Sequence, residues 1–510
     1  MNYADLFRAT LPETVLEIAA LLVLIVDLAF VRKAALQMRV AVASLLGVVG
    51  CIVAIWAVYA AGNAAFSVDG GMLIGVNDTI IVAQVGLLVL TALTLLLFIE
   101  ENFTKHIGEY VSVVLMAAAG GLIISAARDL LVIFVGLELL SLGLYILTAF
   151  AKQSGKSAES AIKYYVFGAM SAAFLLFGFS YLYGLTGSMN LHEIALSAAV
   201  GRANGATPLL YVALVMVAAG LGFKIAAVPF HLWAPDTYEG APAPAAAFIA
   251  SVSKVASFAL LIGIGTAFLH ILDNVHGGLV FVRSGFPSRY FGLLGPWELI
   301  LTVLAVASMV FGNLAALAQS SVRRLLAYSA IAHAGYILLA LAFFSWTSAS
   351  AQAILYYIVT YGLTTIGAFG VVGVVERAAG SDRLEAFLGL NKRNPLLAAV
   401  MLVLFLSLAG IPPLVGFWAK FNLFAAVLRV SAGALPFTLV ALAIAFSAVS
   451  LYYYLQVLKR VYVMRAPDES PICVPPVTAA VLVAIAAAVV TMGCLPAVLQ
   501  HWIASFYPGM

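Results

Sequence analysis

Along most of the chain, apolar stretches of roughly 20 residues alternate with short gaps that hold charges, glycine or proline, the length at which a helix crosses a bilayer. Reading the runs between these gaps predicts fourteen helices, starting near residues 11, 38, 79, 109, 129, 161, 208, 243, 296, 323, 351, 395, 433 and 474. The runs are continuous and rich in Ala and Leu. They lack the alternation of apolar and polar positions that marks a membrane barrel strand, so the predicted fold class is all-α integral membrane, with about 14 transmembrane helices. The opening MNYADLFRATLPETVLEIAALLVLIVDLAF has neither a basic leader nor a small-residue cleavage site, which predicts a retained first span.

The distribution of basic residues tests this helix count, because cytoplasmic loops collect Lys and Arg. Sixteen of the 25 fall in gaps after odd-numbered spans, and six fall at the N-terminus or after even-numbered spans. That bias predicts both termini outside the cytoplasm. Three lysines remain, Lys224, Lys254 and Lys420, and all lie inside apolar spans.

Two spans carry prolines that would break the backbone ladder within the membrane: KIAAVPFHLWAP around Pro229, and LAGIPPLVGFWAK around Pro412 and Pro413. These are the seventh and twelfth helices, and each has a Gly-Phe pair and a lysine nearby: Gly222, Phe223 and Lys224 in one, Gly416, Phe417 and Lys420 in the other. A unit of five helices repeated in tandem runs through the membrane in opposite senses, the inverted-repeat pattern of transporters. The expected organisation is therefore three N-terminal helices in 1–108, a first five-helix repeat in 109–295, a second in 296–465, and a final helix in 466–510.

Composition agrees with the membrane reading and narrows the chemistry. The 510 residues are 64% hydrophobic and 9% charged, against about 25% charged in a soluble domain. A net charge of +3, scattered and without a basic tail, argues against nucleic acid as a partner. Cys51, Cys473 and Cys494 stand far apart, with no CxxC pair to seat zinc or a cluster, and are expected to be small packing residues. No phosphate-binding glycine loop is present, and no metal site is expected.

What does stand out is charge at depth. Glu138, in FVGLELLSLGLYIL, lies roughly 14 Å into the fifth span, and Lys254, in ASVSKVASFALL, about 16 Å into the eighth. A charge at the bilayer centre costs about 2.5–3.5 kcal/mol even on the lenient insertion scale. Three lysines and a glutamate held at that cost point to ion handling. Burial disfavours the charged form of either group and pairing restores it, so opening or closing a Glu–Lys pair would switch protonation, and a row of such groups linked by water would pass protons sideways. A structural clamp is the competing reading for any single pair. His333, about 15 Å into the tenth span, fits a hydrogen-bonded core histidine and a proton relay equally. Glu159 and Lys163 are four residues apart, and from spacing alone read as an ordinary helix-end pair. His231, just past Pro229, fits either a cap or interface residue or a relay. Glu17 and Asp27, in the first span, read as terminal or interface groups.

The segments GLGFKIAAVPFHLWAPDTYEGAPAP, ASVSKVA, SVRRLLAYSAIAHAGY and LSLAGIPPLVGFWAKF together resemble the antiporter-like subunits of respiratory complex I, the proton-pumping NADH:quinone oxidoreductase. The resemblance spans about residues 85 to 465. SAESAIKYYVFGAMSAAFLLFG, AFSAVSLYYYLQV and an ending after the fourteenth span are most similar to the bacterial N branch, counterpart of mitochondrial subunit 2, rather than to L and M. The resemblance implies that Glu138 pairs with Lys224, that Lys254 is the connecting lysine and that Lys420 belongs to the terminal site. It assigns Glu159, Lys163 and His231 to positions implicated in coupling or proton uptake. It implies no cofactor on this chain, with NADH, FMN, iron–sulfur clusters and quinone on other subunits. The implied partners are an antiporter-like neighbour, small helical membrane-arm subunits and the lipid of a bacterial inner membrane. The stretch 272–296 looks longer than usual and is expected to face outside, against another subunit. A subunit of a sodium/proton antiporter or of a membrane-bound hydrogenase uses the same fold and is the nearest rival; a passive scaffold subunit is the second.

Overall fold

A computed structural model describes residues 3–68, 71–199, 207–276, 294–344, 348–430 and 433–506. Twelve of its helices are long and apolar enough to cross a membrane. In chain order the spans are α1 (Leu11–Ile25, prolonged by a π-helical turn Val26–Phe30), α2 (Leu36–Ala61), α3 (Asp78–Phe98), α4 (Ile107–Ala126), α5 (Leu130–Thr148) and α6 (Gly155–Thr186). The interrupted α7 follows, as α7a (Thr207–Ile225) and α7b (Trp233–Gly240), then α8 (Ala243–His276), α9 (Leu294–Leu317), α10 (Val322–Ala342) and α11 (Ser348–Ala379). The interrupted α12 consists of α12a (Pro395–Ala409) and α12b (Val415–Val430), and α13 (Ala434–Tyr462) and α14 (Pro476–Cys494) complete the series. The chain is thus an all-α integral membrane protein, with α1 and the composite α12 adding to the twelve to give the fourteen expected spans.

Local chemistry sets the helix starts. Side chains of Asn77, Asp129, Ser154, Ser321 and Asn394 each accept from a backbone N–H in the first turn of the following helix, supplying partners for amides that a helix cannot satisfy internally. The Ser154 cap starts α6 at Gly155 and not at the expected 161. Hydropathy misses those first turns because Lys156, Glu159 and Lys163 are charged; they are ion-paired instead.

Burial ranks the helices. The apolar window of α8 is 100% buried and that of α10 94%, against 33% for α6 and 28% for α13, so α8 and α10 form the spine and α6 and α13 flank it. Strands were not expected, and one small hairpin occurs: β1 (Ala65–Val68) pairs antiparallel with β2 (Gly71–Gly75), Phe66 opposite Ile74. Such strands are too short to span a bilayer, which takes about 9–11 residues. The hairpin is tied to the loop before α5 by Arg128 N–H donating to Leu73 O at 2.9 Å.

Two long-range contacts fasten the ends of the chain. Asp27 is wholly buried and accepts from Arg39 Nε and Nη2 at 2.8 and 2.6 Å and from Gly108 N–H at 3.1 Å, so it joins α1, α2 and α4 as an interior interface residue. Glycine is needed at 108, since a Cβ there would fall 2.8 Å from Asp27 Cβ. At the other end, Glu100 accepts the Val477 and Thr478 amides at 3.0 and 2.7 Å, capping α14.

The cysteine expectation holds only for Cys51, which is buried; Cys473 and Cys494 are exposed, the first in a loop and the second at the end of α14, so neither is a packing residue within this chain. Most of the 272–296 stretch lies outside the described residues.

Candidate functional site

Lys224 sits in the last turn of α7a, next to the first break. Beyond it Ala226 takes a left-handed conformation (φ 59°), the Val228–Pro229 bond is cis, and the helix resumes at Trp233. Polar groups satisfy the loosened backbone: the Trp233 indole donates to Phe223 O at 2.9 Å, and Val228 N–H donates to Ser308 Oγ on α9 at 2.9 Å. The Lys224 side chain is buried and donates to Ser141 Oγ on α5. Its ammonium lies over the Tyr145 and Phe223 rings at 5.8 and 5.7 Å. Glu138, one turn before Ser141 on α5, is half-buried and within electrostatic range of Lys224, but among the described residues the direct partner of the ammonium is the serine.

Lys254, near the middle of α8, is 3% exposed and donates to Ala330 O on α10 at 2.6 Å, with the Tyr361 ring of α11 5.8 Å away. His333, one turn along α10, hydrogen-bonds through Nδ1 to Tyr357 Oη at 2.7 Å, and its ring lies 4.8 Å from that of Tyr361. It is within electrostatic range of both Lys254 and Lys420. A small cavity of about 10 Å³, the size of one water, opens here, bounded by His333, Tyr357, Thr360, Thr364, Ser407 and Gly416 among others. It lies between the centre of α10 and α11 and the second break.

At that break α12a ends at Ala409, Gly410 turns left-handed (φ 87°), Pro412–Pro413 is cis, and α12b begins at Val415. Lys420, six residues into α12b, is 6% exposed and reaches back to Ala409 O at 2.9 Å, a carbonyl left free by the break. It also donates to Ser447 Oγ on α13 at 2.8 Å, and the Tyr336 ring lies 5.5 Å below. Gly410 leaves room for this: a Cβ there would stand 2.9 Å from the lysine side chain. From Tyr336 a further polar chain passes through Asn313 (3.1 Å) to Tyr453 (3.2 Å).

The accessory candidates lie elsewhere. Glu159 and Lys163 form the pair expected from spacing, at 2.7 Å, and Lys163 also reaches Asp236 on α7b at 2.9 Å. Asp236 accepts Arg324 of α10 at 2.6 Å, Arg324 reaches Glu239 at 3.1 Å, Arg323 pairs with Glu376 at 2.5 Å and Arg377 with Glu101 at 2.7 Å. The gaps after the third, fifth, seventh, ninth and eleventh spans therefore meet at one end of the bundle, in an ionic belt that includes Lys163. His231 is not in the belt. It is buried, its ring edge-on to Phe311 at 4.8 Å, and neither ring nitrogen has a hydrogen-bond partner among the described residues.

Ser141, Ser447, Ser308, Asn313 and Tyr357 escaped the sequence reading. Serines and threonines in these helices mostly bond their own preceding turn, as Thr91, Ser251 and Thr360 do, so a serine that serves another helix carries no mark in the sequence. Asn313 alone had a signal, as an amide inside an apolar span. Among the described residues no group of three or more His, Cys, Asp or Glu converges as metal ligands.

A helical bundle with two interrupted membrane helices and a lysine buried beside each break defines an antiporter-like membrane protein. The chain matches the NADH:quinone oxidoreductase/Mrp antiporter transmembrane family over residues 127–284 and 263–447. NADH-quinone oxidoreductase subunit N 2 of Acidobacterium capsulatum is 46% identical to it over 517 aligned residues, 99% of each chain. A chain of respiratory complex I from Thermus thermophilus with bound Aureothin superposes with a TM-score of 0.74 at 33% identity, covering 96% of this chain and 98% of that one. A chain of the Mrp complex from Dietzia sp. shares the fold (TM-score 0.77) at 20% identity, covering 98% of both. The chain belongs to the NADH:quinone oxidoreductase/Mrp antiporter family and, within it, to the subunit N branch.

Proposed function

We propose that the chain is the proton-translocating membrane-arm subunit N of a complex I, an NADH:quinone oxidoreductase, and that Glu138, Lys224, Lys254 and Lys420 carry the protons. Redox energy released elsewhere in the complex shifts the Glu138/Lys224 site, and the disturbance runs through Lys254 to Lys420. The observation that carries this reading is the placement of three buried lysines and His333 between the two helix breaks, with a small cavity bounded by His333 on α10 and by Ser407 and Gly416 at the second break. His333 is the relay in that stretch, Glu159 and Lys163 take part through the ionic belt, and His231 lies on the path where α7 is broken.

The two interrupted helices fit two inverted five-helix units, α4–α8 and α9–α13, with α1–α3 before them and α14 after. The belt then faces the cytoplasm and both termini face the other side of a bacterial inner membrane. Neighbours would be an antiporter-like subunit and the small helical subunits of the membrane arm, and NADH, FMN, iron–sulfur clusters and quinone would be bound on other subunits. The Mrp likeness fits the sodium/proton antiporter alternative only as kinship of fold. At 46% identity over the full length, the subunit N relative favours the complex I reading.

The test is Lys224→Ala and Glu138→Ala in the intact complex. Both should assemble, and NADH-driven proton pumping into vesicles should fall at least about a hundredfold, the expectation for losing a positioned proton-transfer group. Pumping at the unsubstituted rate in assembled complex would refute the residue roles, and silence of Lys254→Ala and Lys420→Ala as well would leave a passive scaffold.

A further inference from the structure

Buried cations in this chain are treated in two ways. Arg39 and Arg323 are each matched to a carboxylate, Asp27 and Glu376. Lys224 and Lys420, both buried, are not: Lys224 donates to a serine hydroxyl, and Lys420 to a serine hydroxyl and a backbone carbonyl. The two serines come from different helices, α5 and α13, and each reaches a lysine on a neighbouring interrupted helix. A carboxylate stands ready at the first site, since Glu138 lies on α5 one turn from Ser141, yet the ammonium is turned to the hydroxyl.

The chemistry of the acceptors differs in one respect that matters for proton transfer. A carboxylate rewards –NH₃⁺ over –NH₂, because the pairing is electrostatic. A hydroxyl oxygen accepts a hydrogen from either form. At Ser141 the hydroxyl hydrogen is already committed to Leu137 O, so the oxygen meets Lys224 as an acceptor only. When Nζ loses its third proton to the next base on the path, the N–H bond breaks, the electron pair stays on nitrogen, and a remaining N–H still reaches the serine. The amine is kept in register through the step.

We propose that Ser141 and Ser447 are positioning residues for proton transfer, uncharged anchors that hold Lys224 and Lys420 in place in both protonation states. At the first site Ser141 keeps the lysine within electrostatic range of Glu138, one turn away on α5, in either state. This deepens the relay reading of the preceding section and rests on it.

The experiment uses the whole complex in membrane vesicles and measures assembled complex, protons pumped per NADH, and the pH profile of coupled turnover. Ser141→Ala and the near-isosteric Ser141→Cys should assemble, lose about tenfold in coupled pumping, the scale of one hydrogen bond to a charged group, and displace the pH profile. Ser447→Ala should behave alike, whereas Ser447→Thr, which keeps the hydroxyl at a half-buried site, should keep both rate and profile. In a Lys224→Met background, Ser141→Ala should remove nothing further. Unchanged pumping and pH profile in Ser141→Ala and Ser141→Cys, where Lys224→Met alone abolishes pumping, would overturn the anchor role and leave the relay standing. Normal pumping by Lys224→Met would overturn the relay itself. Failure of both Ser141 variants to assemble would make the serine a packing residue and also overturn the proposal.

Discussion

Where a buried side-chain nitrogen of this protein meets an oxygen, the identity of that oxygen decides what the nitrogen can do. His333 illustrates the point. Its Nδ1 is fixed by Tyr357 Oη, while Nε2 has no protein partner among the described residues and the cavity lies against the same ring. The phenol therefore orients the imidazole, leaving the second nitrogen free to exchange. Tyr357→Phe removes the orienting group and leaves a buried ring nitrogen unsatisfied, a cost of about 1–3 kcal/mol. The complex should still assemble, and proton pumping measured in vesicles should drop several-fold, with NADH oxidation falling in step. Undiminished pumping would mean that the Tyr357 bond only packs the core. The lysines themselves were legible in the sequence because a charge in an apolar run is conspicuous. Their partners were not, since Ser141 is 83 residues from Lys224, Ser447 looks like any serine of the next helix, and Tyr357 stands among ordinary aromatic core residues.

At the scale of the element, the interrupted helices are the features that position the site. A helix broken in the membrane exposes amides and carbonyls that lipid cannot satisfy, and here each break is answered by groups from other elements. Ser308 of α9 takes the Val228 amide, Trp233 takes the Phe223 carbonyl, and Lys420 takes the Ala409 carbonyl. The breaks were legible from Pro229, Pro412 and Pro413, but the groups that cover them were not, because α9 meets the first break only after the chain has folded back on itself. The two breaks are alike in construction yet not in placement of the lysine, which precedes the first and follows the second. Ser308→Ala should leave the Val228 amide unpaired at a cost of about 1–3 kcal/mol and loosen the link between α9 and the break. The expected outcome is a lower thermal midpoint for the purified complex, with reduced pumping below that midpoint. An unchanged midpoint would show that the amide finds another partner.

Across the whole molecule, charge is sorted by position. The ionic belt at one end binds α6, α7b, α10 and α11 together through Lys163, Asp236, Arg324 and Arg323, while Asp27 and Arg39 lock the N-terminal helices to α4. The sequence marked Lys163, Arg323 and Arg324 as gap charges, and the alternation of basic gaps anticipated that they share an end. Which charge meets which required the fold. The Asp27 lock is a sharp case: with Arg39 replaced by Met, a fully buried carboxylate loses its counter-charge, which costs about 3–5 kcal/mol. The yield of assembled subunit in the membrane should fall severely for Arg39→Met and recover in large part when Asp27→Asn is added, as read on a native gel. Equal yields of the single and double variants would show that the pair is dispensable.

The cap that Glu100 places on α14 joins residues 377 and 378 positions apart. Translation therefore supplies the carboxylate long before the amides it will hold. α14 closes the bundle against α3, and a nascent chain halted short of residue 477 would leave that glutamate and the neighbouring flank of α11 open to whatever else the membrane offers.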